Sequence, residues 1–232
     1  MSNDSPTLLR ADFTQRVVVA TRDEPWVSSP QHGVERRMLD RIGGEVARAT
    51  SLVRYSPAST FPPHRHDKGE EFLVLDGVFS DEHGDYPAGT YVRNPPGSAH
   101  KTRTEGGCTI FVKLRQMRPD ERHRVVIAAS DASLSSSSFG RSSRQLFQSA
   151  DGTENVAIEY LAPNASTPQY VCQGGEEILV LSGVLSDQSG DHGPGVWIRN
   201  PDGFRNTLAS RDGCSYWVKR GHLPPHAPAS DI

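Results

Sequence analysis

Two tandem all-β barrels are the architecture this sequence predicts, and three observations predict it. Brief runs of Val, Ile, Leu, Phe and Tyr are cut by turns of Gly, Pro, Asp and Asn, as short strands require. Helical periodicity is nearly absent. The chain also repeats itself: EEFLVLDGVFSD at Glu70 returns as EEILVLSGVLSD at Glu176, identical at nine of twelve positions, an offset of 176 − 70 = 106 residues. A unit of about this length suits a small closed barrel, in which closure leaves no sheet edge exposed.

Taken in order, RVVVATRD at Arg16 opens the first unit and RVVIAASD at Arg124 the second, at an offset of 124 − 16 = 108. Two single-residue length changes therefore separate these blocks from the rest. The first unit continues through the strands ATSLVRY, EEFLVLDGVFSD, GTYVRNPP and CTIFVKLRQ. The second answers with NVAIEYLAP, EEILVLSGVLSD, GVWIRNP and CSYWVKR. Gly89, Asn94, Pro95, Gly97 and Cys108 fall on Gly195, Asn200, Pro201, Gly203 and Cys214 at the constant offset. The duplication spans nearly the whole chain and sets domains at 10–118 and 119–223, with the boundary inside QMRPDERH at 116–123. The Ser-rich stretch 130–143 resembles a flexible linker in composition, but it answers RDEPWVSSPQHG and so belongs inside the second unit as an irregular surface segment. The tail PPHAPASDI is expected to fray.

At 232 residues, 35% hydrophobic and 23% charged, the chain can build a sizeable core. A formal net charge of -3 with no polybasic block argues against nucleic-acid binding. No run of apolar residues is long enough to span a bilayer and no signal-peptide pattern opens the chain, so a cytoplasmic location without membrane attachment is expected. Three widely spaced cysteines, Cys108, Cys172 and Cys214, fit a reducing compartment, and Cys108 and Cys214 read as small core residues.

The chemistry concentrates in HRHDKGEE, residues 64–71. On a strand, side chains two apart share a face, so His64 and His66 converge while Arg65 points away. A short turn then delivers Glu70 at the start of the apolar run FLVL, and His100 can complete the set. Three imidazoles and a carboxylate suit Zn, Fe, Mn or Ni. Glu71 should face away as a surface salt-bridge partner, although it is the alternative carboxylate. His83 in its hairpin turn, and His32, His123, His192, His222 and His226, lack partners at ligand spacing and read as solvated. Arg93–Asn94 and Arg199–Asn200 occur in both halves and read as structural hydrogen-bonding residues. The second half answers the ligand positions with Tyr170, Cys172, Glu176 and Asn206, a poor set for any of these metals, so one metal per chain is expected.

These motifs resemble those of the cupin superfamily, jelly-roll barrels that hold one metal, and the pair would form a bicupin. His64, His66, Glu70 and Gly77 fit the first cupin motif, with Ala58 in place of its leading glycine. Gly89, Pro95, Gly97 and His100 fit the second, with Thr104 where asparagine is usual. The wording GEEFLVLDGVFSDEHGDYPAGTYVRNPPGSAH is closer still to the cupin domain of ChrR-type anti-sigma factors. That resemblance implies a zinc site of three histidines and one glutamate, with iron, manganese or nickel as alternatives, and a regulatory, stress-sensing role. The helical sigma-binding domain of those factors is expected to be missing, since about fifteen residues precede the first repeat. A regulatory protein partner, a small-molecule ligand or substrate, and a monomeric bicupin or homodimer are the partner expectations. The competing readings are a mononuclear iron or manganese dioxygenase acting on a diketone or hydroxyketone, and a ligand-binding module without turnover.

Overall fold

The computed structural model of the chain describes residues 7–131, 133–136 and 138–224. Among them the regular structure is β-strand apart from one 3-10 turn at Thr21–Asp23, and every strand pairing is antiparallel. None of the described helices is long and apolar enough to cross a membrane. His226 and most of the tail lie outside the described residues.

The chain divides into two compact units, and neither is contiguous. Of the described residues, the first takes 7–11 and 24–131, the second 12–23 and those from 133 to 224. The first unit's sheet runs Leu8–Leu9, Val34–Gly43, Ala47–Tyr55, Cys108–Leu114, Glu70–Asp81, Ser98–Arg103 and Thr60–His66. Its core gathers Val53, Phe72, Val74, Phe79, Val92, Ile110 and Val112. The second unit's main sheet runs from Arg141–Gln148 through Asn155–Leu161, Cys214–Arg220, Glu176–Gly183 and Val196–Asn200. Ile178, Val180, Leu185, Ile198, Tyr216 and Val218 fill it.

The division expected from the repeat, 10–118 and 119–223, differs from these units at both junctions. Val17–Ala20, at the start of the first repeat, pairs with Val196–Asn200 in the second unit. Val125–Ile127, at the start of the second repeat, pairs with Tyr91–Asn94 in the first. The repeats thus exchange their opening strands, which the duplicated RVV runs already carry in sequence.

Of the strands that go beyond the sequence expectation, the two longest are hidden by charge and polarity. Val34–Gly43 contains Glu35, Arg36, Arg37, Asp40 and Arg41, and that charge density hides its pairing with Ala47–Tyr55 and its buried Leu39. Arg141–Gln148 is disguised in the same way by RSSRQ. The Ser-rich segment leads into it through the two-residue strand Ser135–Ser136.

Candidate metal centre

The geometry of this site follows from strand register. His64 and His66 alternate onto one face of Thr60–His66, and His64 lies directly opposite His100 on Ser98–Arg103. The turn at residues 67–69 then starts the strand carrying Glu70. Gly69 makes this turn possible: its φ is +76°, and a Cβ there would lie 2.1 Å from the sulfur of Met117.

The four side chains converge. One ligand atom from each of His64, His66, Glu70 and His100 lies within 4.8 Å of the others, and the three imidazole centroids are 4.8–4.9 Å apart. Glu70 Oε2 is 3.4 Å from His66 Nε2 and 3.5 Å from His100 Nε2. That is the separation of two ligand atoms sharing one ion at bonds of about 2.1 Å. Both Nε2 atoms are buried and make no hydrogen bond. Buried ring nitrogens are ordinarily satisfied, so two left open toward a carboxylate fit a cation among them. Among the described residues this is the one grouping of His, Cys, Asp and Glu that can hold a metal ion.

The far sides of two of the rings are anchored. His64 Nδ1 donates to the Pro62 carbonyl at 3.0 Å, leaving its Nε2 to the centre. His100 Nδ1 donates to Asp81 Oδ2 at 3.2 Å, and Asn94 Nδ2 donates to Glu70 Oε2 at 3.1 Å. A second partner of this kind fixes the tautomer and direction of a ligand. Burial lowers the His66 pKa against the opposing pull of Glu70, which favours the neutral ring a metal needs. Burial would raise Asp81, but hydrogen bonds from His100, Tyr86 and the His83 N–H, with the charge of Arg124, hold it at about 2.

Glu71 is not a surface residue, correcting the sequence expectation. It is buried on the opposite face from Glu70, where it accepts from Tyr91 at 2.5 Å and pairs with Arg93 at 2.7 Å. Arg93 in turn grips Glu121. His192 is buried and the His222 side chain is enclosed rather than solvated, held at 3.0 Å by Asp187 and 3.1 Å by Glu177 respectively. His32, His83 and His123 are exposed, and Cys108, Cys172 and Cys214 are buried and free.

A cavity of about 290 Å³ opens beside the cluster, reaching His64, His66 and Glu70. Val34, Val53, Tyr55, Phe61, Ile110 and Leu114 give it an apolar wall, and Arg36, Arg65 and Arg115 also line it. In the second unit the positions 106 residues on from Val53, Ile110 and Leu114 are Glu159, Tyr216 and Arg220. There Tyr216 donates to Glu159 at 2.8 Å, and Arg220 pairs with Glu159 at 2.6 Å and Glu176 at 2.8 Å. Glu176 also accepts from Tyr170 at 2.9 Å, and from Asn200 and Asn206 at 3.1 Å each. Burial and the Glu176 charge both raise Tyr170 and Cys172, keeping them protonated donors. A guanidinium therefore supplies, inside the protein, the positive charge that the first barrel's cluster lacks. Sequence reasoning missed Arg220 because only its partners identify it.

No curated protein sequence matches the chain. Solved structures share its fold. One is a protein of Nostoc punctiforme PCC 73102 provisionally described as a dioxygenase, 15% identical, with a TM-score of 0.76 over 90% of this chain and 84% of that one. Another is a provisionally named glyoxylate-induced protein of Pseudomonas aeruginosa, 14% identical, TM-score 0.72, covering 95% and 92%. A variant of Bacillus subtilis oxalate decarboxylase is 11% identical, TM-score 0.63, covering 89% and 77%. At these identities the likeness speaks for the cupin fold alone. The profile of the ChrR cupin-like domain matches twice, at residues 14–118 and 122–224, and on that match the chain belongs to the ChrR cupin-like family as a tandem pair of cupin barrels.

Proposed function

We propose that this chain is a metal-dependent regulatory cupin: the first repeat, expected at 10–118, holds one divalent ion through His64, His66, Glu70 and His100 and senses a small molecule in the adjoining cavity. The observation that carries this reading is the pair of buried, unpartnered Nε2 atoms of His66 and His100 facing Glu70. Zinc is the ion the family resemblance favours, with iron, manganese and nickel as the alternatives the donors also suit. Bound there, an ion would offer Lewis acidity to an oxygen atom of the ligand. The protein's own part is to keep His66 neutral, to hold His100 by Asp81 and Glu70 by Asn94, and to shelter the ligand behind Tyr55 and Phe61. The second repeat, expected at 119–223, serves without a metal, its Glu176 already met by Arg220.

Elemental analysis of protein purified without added metal is expected to give one equivalent per chain, absent from the His64→Ala, His100→Ala double variant. Two equivalents, or full occupancy in the double variant, would overturn the assignment.

The cavity favours a second reading, a dioxygenase acting on a diketone or hydroxyketone, because it brings an apolar wall to within reach of three of the four proposed ligands. Dioxygen uptake by iron(II)-loaded protein with enolisable diketones would select this reading; reversible binding without uptake would select the regulatory one.

A further inference from the structure

We infer that Arg124, supplied by the second repeat, is a positioning residue for the metal centre of the first barrel, acting on Glu70 through Asn94 and on His100 through Asp81. This rests on the metal-centre reading above. Arg124 immediately precedes Val125–Ile127, the exchanged strand that pairs with Tyr91–Asn94. Its Nε donates to Asn94 Oδ1 at 3.0 Å, and Asn94 Nδ2 donates to Glu70 Oε2 at 3.1 Å. A terminal nitrogen of the same guanidinium reaches Asp81 Oδ2 at 3.3 Å and Tyr86 Oη at 2.6 Å. Asp81 Oδ2 accepts from His100 Nδ1 at 3.2 Å.

The amide decides why this residue matters. An asparagine side chain presents an acceptor at one end and donors at the other. With Arg124 engaging its oxygen, Asn94 must turn its NH₂ toward Glu70. Without Arg124 the amide is free to flip, setting an oxygen against a buried carboxylate and leaving that carboxylate misaimed. Asp81 likewise loses its arginine and holds His100 less firmly.

The second barrel repeats the device. Arg16 Nε donates to Asn200 Oδ1 at 2.9 Å, Arg16 pairs with Asp187, and Asn200 points its NH₂ at Glu176. In both barrels the arginine aims an amide at the buried carboxylate. Arg16 is thus a control that breaks the same contacts away from the metal cluster.

The test is a cobalt(II) titration of the metal-stripped full chain, followed by visible absorption. Arg124→Gln should weaken binding tenfold or more, the usual consequence of losing an outer partner of a ligand, and shift the cobalt bands. Arg124→Lys, which keeps charge near Asp81 but not the planar fork, should restore part of the affinity. Arg16→Gln should leave affinity and spectrum unchanged. An unaltered titration and spectrum for Arg124→Gln would overturn the inference alone, as would an equal loss in Arg16→Gln, which would mark general destabilisation. Failure of the unsubstituted chain to take up cobalt would overturn the metal-centre reading and this inference with it.

Discussion

Ala58 shows how one residue departs from its family's motif at a measurable cost. Its φ is +58°, in the left-handed region, and its counterpart 106 residues on, Asn164, sits at +59°. Both residues carry a Cβ that crowds the following carbonyl, but an asparagine side chain can offset the cost by hydrogen-bonding locally and an alanine cannot. The leading glycine of the cupin motif is therefore a backbone requirement, and this chain meets it with strain in the first barrel. Ala58→Gly should relieve roughly 1–2 kcal/mol of that strain. The greater freedom of glycine in the unfolded chain returns about 0.5–1 kcal/mol. A net gain of up to about 1.5 kcal/mol is expected in a urea titration. A loss of stability would show that the position is not strained.

At the level of the strand, the two barrels solve one electrostatic problem in two ways. Each buries a glutamate at the same register, Glu70 and Glu176, with an asparagine donating to it. In the second barrel Cys214–Arg220 ends in a guanidinium that neutralises the acid from within. In the first, the same position on Cys108–Leu114 is Leu114, which leaves a cavity. Arg220→Leu should strip Glu176 of its cation and destabilise the protein by about 3–5 kcal/mol, as breaking a buried pair does. Adding Glu176→Gln should recover part of the loss, since that site then holds a neutral amide, while Glu159 has still exchanged Arg220 at 2.6 Å for the more distant Arg141 at 3.7 Å. A loss below about 1 kcal/mol in guanidinium unfolding would refute the charge-balance account. The shared face of His64 and His66 was legible because period-two spacing survives in the sequence, whereas the convergence of Glu70 and His100 with them followed from the cupin motifs they fit and not from local spacing. Arg124 and Arg220 were not, because a guanidinium's partners lie on strands tens of residues away and no local pattern connects them. Glu71 was misplaced for a similar reason: Arg93 and Tyr91, which make its burial tolerable, are twenty or so residues downstream.

Across the whole molecule, the duplication was plain in the sequence while the exchange of opening strands was not. A repeat reveals which segments correspond, not which copy each one pairs with. Removing residues 1–23 should strip the Val17–Ala20 strand from Val196–Asn200, exposing the edge beside the buried Trp197. The shortened chain is expected to show a red-shifted tryptophan emission from that unit while still binding one metal ion. Unchanged emission would argue that the exchanged strand contributes nothing to its sheet. The exchange also reaches into biosynthesis. Val17 meets its partner only at Arg199, 199 − 17 = 182 residues later, so at ribosomal rates of about 5–20 residues per second it waits on the order of ten to forty seconds. During that interval the nascent chain carries Val17–Ala20 without its sheet partner, an unmatched apolar strand of the kind that favours aggregation over folding.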